Sequence, residues 1–243
     1  MMGKVLVMAG LLVAGSVHAN EALIRKAIEA KISANARVEG VQPAPVPGLF
    51  EVRIRGADGV QVIYTDATGA HIIVGRIIET RSDRNLTEER MRKLNAVKFE
   101  ALPLDLAVKV QRGSGRRVLA MFSDPYCPAC RQFERTLAQI DDITVYVFMY
   151  PVIRPENADH SRAVWCAPDR AKAWLELAAA PRPKVPDAGA RCPNPVDKIV
   201  EAGRRLGVNS TPTLFLANGE RMNGGLAADD LKELLDQPAT ARR

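Results

Sequence analysis

The 243-residue sequence contains few aromatic residues, few histidines and few long apolar runs. Aromatic residues make up only 5% of the chain and never alternate with basic ones, so the net charge of +6 indicates a solvated surface and no nucleic-acid partner. The one long apolar run, Val5 to Val17, has about 13 residues, whereas a bilayer-spanning helix needs roughly 20. A membrane span is therefore not expected.

The amino terminus has the layout of a secretory signal peptide. A short charged stretch ends at Lys4, the apolar run follows, and small residues occupy the cleavage positions in Val17-His18-Ala19. The sequence predicts that residues 1–19 are removed and that the mature chain is exported.

A small α+β unit is predicted over residues 20–82. Its elements are a helix over Glu21–Ser33, an extended proline-rich stretch over Gln42–Gly48, and three strands over Leu49–Arg55, Val60–Thr65 and His71–Thr80. A unit of about 60 residues has little core and often gains stability by dimerising. Its last strand offers an edge on which a second copy could pair.

Residues 83–103 are predicted to form a linker helix. Thr87 is the candidate N-cap of a helix that runs to about Ala101, and Glu88 and Glu89 occupy the first turn, where the helix dipole favours acids. The apolar stripe of this helix is thin, which favours a linker over a core helix.

The pattern from residue 104 to residue 243 predicts helices around a central sheet, in the order β-β-α-β-α-α-β-α. The strands are Leu106–Val110, Arg117–Ser123, Ile143–Met149 and Thr213–Leu216, and the helices are Pro128–Ile140, Asn157–Ala179, Ile199–Leu206 and Ala228–Leu235. A proline-broken loop is expected over Pro181–Pro195.

The chemistry-bearing motif is Cys127-Pro128-Ala129-Cys130, between a predicted strand and a predicted helix. Cys127 is expected at the helix N-cap, where free backbone N–H groups and the helix dipole stabilise a thiolate. Cys130 lies three residues later, so both sulfurs share one side of the first turn. Asp124 is either a buried proton acceptor or, as we favour, a turn residue.

A zinc site and a structural disulfide are weaker interpretations of the cysteine pair. A zinc site needs two further ligands, but Cys166 and Cys192 form no second C-x-x-C, and His71 and His160 stand apart, so no metal site is predicted. A purely structural disulfide between neighbours this close would add little loop-closure stability. Redox chemistry is the favoured interpretation.

Thr211-Pro212 precedes a short predicted strand. This proline could be an ordinary trans proline at a strand start, or a cis proline that turns the backbone of Thr211 towards an extended peptide. The presence of the C-x-x-C motif favours the cis form.

Together these features resemble the DsbC/DsbG family of periplasmic thiol:disulfide interchange proteins, with the DsbC type favoured. Besides the C-x-x-C and Thr211-Pro212, the segments that carry the resemblance are Val41–Val52, Gly69–Gly75 and Val164–Ala167. The resemblance implies a cystatin-like α+β dimerisation domain, a linker helix and a thioredoxin-like α/β domain with a helical insertion.

The resemblance also implies roles for individual residues. Cys127 would be the attacking cysteine, Cys130 the resolving one, and Thr211-Pro212 the substrate-binding cis-proline loop. Cys166 and Cys192 would form a structural disulfide, although a second redox pair is an alternative. Pro128-Ala129 departs from the Gly-Tyr usual in the DsbC type, and DsbG-type proteins carry a proline at the first of these positions but lack the Trp-Cys…Cys pair.

The expected function is isomerisation or reduction of wrongly paired disulfides in exported proteins. The resemblance implies a periplasmic homodimer, an inner-membrane DsbD-type reductase as electron donor, and no diffusible cofactor. The alternatives are a DsbG-type sulfenic-acid reductase, a dithiol oxidase and a dimeric chaperone.

Overall fold

The computed structural model describes residues 12–56, 59–180, 184–185 and 192–237. The chain divides into two compact units, Met1–Leu94 and Asn95–Arg243. Among the described residues, no helix combines the length and the apolar character needed to cross a membrane. Most of the predicted loop Pro181–Pro195 lies outside the described residues.

The first unit is a helix and a four-stranded antiparallel sheet. Its elements are α1 (Leu12–Glu29), β1 (Arg37–Pro43), β2 (Phe50–Gly56), β3 (Gly59–Thr65) and β4 (Ile72–Ile73), with the strands in the order β1-β2-β3-β4. The helix buries Ile24 and Ile28, four residues apart on one face, against Val38 of β1 and Val52 of β2. This unit therefore has its own apolar core.

Strand β1 was not predicted from the sequence, because a bulge between Val38 and Gly40 interrupts its alternation. The prediction that the proline-rich stretch is extended is wrong beyond β1. Residues 45–48 instead make the turn between β1 and β2, in which Gly48 has a φ of 84° and the Ala44 N–H donates to the Leu49 carbonyl at 2.9 Å.

The strand predicted over His71–Thr80 is also wrong in extent. Only β4 pairs with β3, and the chain then forms a separate two-residue hairpin of β5 (Ile78–Glu79) and β6 (Arg84–Asn85). Helix α2 follows over Leu86–Leu94 and ends well before the predicted Ala101.

Asn85, not Thr87, caps α2. The Asn85 Oδ1 accepts the Glu88 N–H at 3.0 Å, which satisfies one of the free amides of the first turn. Thr87 is buried, and its hydroxyl accepts the Ile77 N–H at 2.9 Å and bonds the Tyr64 hydroxyl at 2.5 Å. Thr87 thus fastens the start of α2 to β3.

The second unit is a five-stranded sheet with helices on both faces. Its elements are β7 (Val108–Arg112), β8 (Arg117–Ser123), α3 (Pro128–Leu137), β9 (Ile143–Met149), α4 (Ala158–Cys166), α5 (Arg170–Ala178), α6 (Val196–Arg205), β10 (Thr213–Leu216), β11 (Arg221–Asn223) and α7 (Ala228–Asp236). The strand order is β11-β10-β8-β9-β7, and only β8 and β9 are parallel among the described strands. Short 3₁₀ helices span Phe99–Ala101, Leu104–Leu106 and Pro155–Asn157.

The central strand β8 serves two apolar cores because its side chains alternate between the faces of the sheet. Leu119 and Met121 pack on the face that carries α3, α5 and α7. Ala120 and Phe122 pack on the opposite face, where the Phe122 ring stacks on Phe148 with centroids 4.5 Å apart. All four residues are at most 1% exposed, so β8 is buried from Leu119 to its end, whereas Arg117 and Val118 are only partly buried.

The predicted bounds of β8, β9 and β10 match the structure. The helix predicted over Asn157–Ala179 is two helices, because α4 ends before Pro168 and Asp169 caps α5 by accepting the Lys172 N–H at 3.0 Å. Strand β11 has only three residues and was not predicted.

Candidate active site

Asp124 organises the turn that leads from β8 into α3. Its Oδ1 accepts the Tyr126 N–H at 2.8 Å, and its Oδ2 accepts the Ile153 N–H at 2.7 Å from the segment after β9. The Asp124 carbonyl accepts the Cys127 N–H at 3.1 Å. Asp124 is therefore a turn residue, as favoured from the sequence, and it is also fully buried.

Cys127 lies at the N-cap of α3, as the sequence predicts. Its Sγ accepts the Cys130 N–H at 3.4 Å, and Pro128 occupies the first turn, where no N–H is needed. A sulfur in this position faces the free amides and the positive end of the helix dipole, which favour a negative charge. The residue is only 5% exposed.

The Thr211–Pro212 peptide bond is cis, as favoured from the sequence. The Cys127 thiol donates to the Thr211 carbonyl across 3.2 Å. Antiparallel pairing of β10 with β8, in which Thr213 faces Phe122, brings this loop beside the end of β8. The structure thus brings together the predicted cysteine pair and the predicted cis-proline loop.

Cys130 is buried beneath the start of α3 and is 1% exposed. Both Cys127 and Cys130 are free thiols. Burial raises the pKa of Cys130 to about 12, while the Asp124 amide and the hydroxyls of Thr211 and Ser123 favour its ionised form and oppose that rise. Both cysteines are buried, but their sulfurs have different surroundings: Cys127 lies at the N-cap of α3 beside the Thr211 carbonyl, and Cys130 lies beneath the first turn.

Tyr126 and His160 form a pair next to the motif that the sequence did not reveal. The Tyr126 hydroxyl hydrogen-bonds His160 Nδ1, and the ring centroids are 5.7 Å apart. Burial raises the pKa of Tyr126, and the Asp124 carboxylate adds to the rise. His160 lies on α4, 34 positions along the chain, so no local pattern signals the contact.

Arg131 follows the motif directly and ties α3 to α5. Its Nη1 donates to the Leu177 carbonyl at 2.9 Å and its Nη2 to the Ala180 carbonyl at 2.6 Å. The Leu177 carbonyl is in the last turn of α5 and Ala180 lies two residues beyond its end, a place where backbone acceptors lack helical partners and a cation is favoured.

Glu134 lies four residues after Cys130, on the same buried face of α3, and is 2% exposed. The Trp174 Nε1–H of α5 donates to its Oε1 at 2.7 Å. Burial raises the pKa of Glu134 to about 7, against the opposing effects of this hydrogen bond and of the Arg112 charge. A single acid on the apolar side of α3 is the sequence signal that could have identified it.

Cys166 and Cys192 form a disulfide with their Cα atoms 5.7 Å apart. Cys166 is the last residue of α4, and Cys192 precedes α6, so the bridge spans 26 positions that include α5. Beside it, the Arg170 guanidinium lies 3.8 Å from the centroid of the Trp165 ring.

The sheet order, the C-x-x-C at a helix N-terminus and the adjacent cis proline define a thioredoxin-fold dithiol protein. Two family descriptions match the chain, a thioredoxin-like domain over residues 104–239 and a disulfide bond isomerase protein N-terminal domain over residues 15–88. The chain belongs to the DsbC family of thiol:disulfide interchange proteins, and the predicted resemblance and fold class are confirmed.

Individual relatives agree with this assignment. A probable thiol:disulfide interchange protein DsbC of Bordetella pertussis is 43% identical over 189 residues, which are 77% of this chain and 65% of the relative. A protein of the same name from Bordetella avium is 36% identical over 87% of this chain and 73% of its own length. The crystal structure of a disulfide interchange protein from Neisseria gonorrhoeae is 37% identical, with a TM-score of 0.51 over 55% of this chain and 96% of that one.

Proposed function

We propose that this protein is a periplasmic thiol:disulfide interchange protein that isomerises or reduces wrongly paired disulfides in exported proteins. The observation that carries the proposal is the free cysteine pair at the start of α3, with the Cys127 sulfur 3.2 Å from the carbonyl that precedes the cis proline. A signal peptide over residues 1–19 would direct the chain to that compartment and would then be removed.

Cys127 is the attacking residue in this proposal. Its thiolate, favoured by the Cys130 N–H and the α3 dipole, attacks one sulfur of a substrate disulfide. A bond forms between Cys127 and that sulfur, the substrate disulfide breaks, and the other substrate sulfur leaves as a thiolate. Pairing of an extended substrate segment with the backbone at Thr211 would hold the disulfide in line for this attack.

The mixed disulfide has two fates. The freed substrate thiolate can attack another disulfide of the substrate, which is isomerisation and regenerates reduced Cys127. Alternatively, the Cys130 thiolate attacks Cys127, a Cys127–Cys130 disulfide forms, and the substrate leaves reduced by two electrons. The second route requires a reductant to restore the dithiol, and an inner-membrane DsbD-type reductase is the proposed source.

A homodimer is the proposed assembly, formed through the edge strand of the first unit. Strand β4 pairs for only two residues, and its neighbourhood exposes a row of apolar side chains. These are Ile72, Ile73, Val74 and Ile78, with exposures of 45%, 45%, 82% and 46%. Such an edge is a template for pairing with another copy. Val74→Lys should shift the protein from dimer to monomer by light scattering, and an unchanged mass would refute this interface.

Refolding of a scrambled substrate tests the function. The substrate is a protein with several disulfides, oxidised under denaturing conditions, and its activity is followed with the purified protein at a fixed glutathione poise. We expect recovery with the wild type and none with Cys127→Ala. Oxidation of a reduced substrate without recovery of the scrambled one would identify a dithiol oxidase, and suppression of aggregation that survives Cys127→Ala/Cys130→Ala without disulfide exchange would identify a chaperone.

A further inference from the structure

Two hydroxyls near the motif are buried without a conventional hydrogen-bond partner in the described part of the chain. Ser123, the last residue of β8, is fully buried, and its Oγ has no such partner there; the same holds for Thr211 Oγ1. Because a buried hydroxyl without a partner is unfavourable, such groups are rare in folded proteins and point to a role.

The sheet directs Ser123 towards the helix that carries the motif. Side chains alternate along β8, so Ser123 shares the face of Leu119 and Met121. That face packs against Phe133 and Leu137 of α3. These two residues follow Cys130 by three and seven positions, and therefore lie on the same side of the helix as the Cys130 thiol.

The pairing of β10 with β8 brings the second hydroxyl to this place. Thr213 of β10 faces Phe122 of β8, so the chain just before β10 runs beside the end of β8. The Thr211 carbonyl accepts the Cys127 thiol at 3.2 Å. The buried Thr211 hydroxyl has no conventional partner in the described part of the chain and can serve another group. The amide of Asp124 is the third donor directed at the Cys130 sulfur.

We propose that the Ser123 and Thr211 hydroxyls, with the Asp124 amide, form a binding site for the Cys130 thiolate. In the reduced resting state the Cys130 sulfur is a neutral thiol and the hydroxyls stay without a strong partner. When Cys130 loses its proton to become the resolving nucleophile, both hydroxyls donate to the sulfur. Ser123 thereby sets how fast Cys130 releases a bound substrate, and so the balance between reduction and isomerisation. This inference rests on the proposed exchange activity.

The step served by Ser123 is the second displacement. The Cys130 thiolate attacks Cys127 Sγ, the bond between Cys127 and the substrate sulfur breaks, and the electron pair leaves on the substrate sulfur. The dithiol is oxidised to a disulfide and the substrate is reduced, its leaving thiolate taking up one proton in place of the one that Cys130 lost. Without donors, the buried Cys130 would hold its proton more tightly still, since burial raises its pKa to about 12 even beside them.

A coloured aromatic disulfide, dithiobis(nitrobenzoate), separates the two displacements in the full chain. One thionitrobenzoate is released when Cys127 attacks and a second when Cys130 attacks, so stopped-flow absorbance gives two phases. Cys130→Ala should show the first phase and no second phase. Ser123→Ala should keep the first phase at the wild-type rate and slow the second.

The size of the slowing follows from the thiolate chemistry. Losing a hydrogen bond to an ionised group lowers the fraction of Cys130 present as thiolate about 10- to 100-fold. A more basic thiolate is also a stronger nucleophile, which offsets about half of this effect on a logarithmic scale. We therefore expect a second phase about 3- to 10-fold slower at neutral pH, with its pH profile displaced to higher pH. Ser123→Thr, which keeps the hydroxyl, should restore the wild-type profile.

Ser161→Ala is the matched control. Ser161 on α4 is also fully buried, and its hydroxyl likewise has no partner among the described residues. It should leave both phases unchanged. An unchanged second phase in Ser123→Ala would overturn the thiolate site while leaving the exchange activity standing. Absence of the first phase in the wild type would instead overturn the proposed function.

Discussion

Replacing Glu134 by glutamine should remove a pH-dependent loss of stability from the second unit. Glu134 is 2% exposed, and the Trp174 Nε1–H donates to its carboxylate at 2.7 Å. Glutamine keeps an oxygen for that hydrogen bond but cannot ionise. The change therefore isolates the cost of the buried carboxylate charge.

The magnitude follows from the difference between the folded and unfolded proton affinities. The pKa of Glu134 rises from 4.5 to about 7 on burial. Between these values the unfolded chain loses the proton and the folded protein keeps it, so the free energy of unfolding falls as pH rises. The stabilising contribution of protonated Glu134 is fully present below pH 4.5 and is lost as pH rises to about 7. The free energy of unfolding falls by about 3 kcal/mol over this range.

Urea unfolding at a series of pH values provides the assay. Both tryptophans, Trp165 and Trp174, belong to the second unit, so their fluorescence reports that unit alone. The stability of Glu134→Gln relative to the wild type should rise by about 3 kcal/mol between pH 4 and pH 8, because other titrating groups cancel in the difference. Glu201→Gln, at an exposed site on α6, is the control. If the difference in the free energy of unfolding between Glu134→Gln and the wild type stays constant over this pH range, ionisation of the buried Glu134 does not destabilise the protein.

Three further outcomes are expected. Cys166→Ala/Cys192→Ala should lower the free energy of unfolding by about 3–4 kcal/mol, because a cross-link over 26 positions restricts the unfolded chain; equal stability of the bridged and unbridged forms would contradict this. Asp124→Ala should cost about 2 kcal/mol or more and slow thiol exchange, because two backbone amides lose their acceptor; thermal unfolding and the two-phase thiol assay measure both effects. Gly203→Ala should cost about 1–3 kcal/mol in urea unfolding, since an added Cβ would lie 2.5 Å from the Tyr150 ring; an unchanged midpoint would show that the ring moves aside freely.

The strands around the motif could be predicted because their sequences are unambiguous. Ile143–Met149 is rich in strand-forming residues, Arg117–Ser123 contains the apolar run Val118–Phe122, and the predicted bounds of both agree with the structure. The motif also carries its own local rules, since a proline after the first cysteine suits a helix start. Local chemistry therefore located the helix N-cap and the cysteine pair.

The first unit was harder to predict because its strands are held by pairing more than by pattern. Strand β1 contains a bulge between Val38 and Gly40, and the stretch after Ile73 keeps strand-like residues without continuing the pairing with β3. Nothing in the local sequence states where a ladder of hydrogen bonds ends.

The environment of Cys130 could not be predicted either, because it is assembled over long separations in sequence. Ser123 and Thr211 are 88 positions apart, and only the pairing of β8 with β10 brings them together. A polar residue at the end of an otherwise apolar strand was the one available signal for Ser123.

The two hydrogen bonds from Arg131 to the chain at the end of α5 fix the position of the start of α3. One guanidinium donates to two carbonyl oxygens three residues apart. Any sliding or rotation of α3 relative to α5 would therefore break both hydrogen bonds. We expect the backbone frames of the oxidised and reduced forms to superimpose, with redox changes confined to the sulfur atoms and their immediate donors. Crystal structures of the two forms would measure this directly. Arg131→Lys, whose single ammonium cannot reproduce the two-pronged contact, should allow α3 to shift relative to α5.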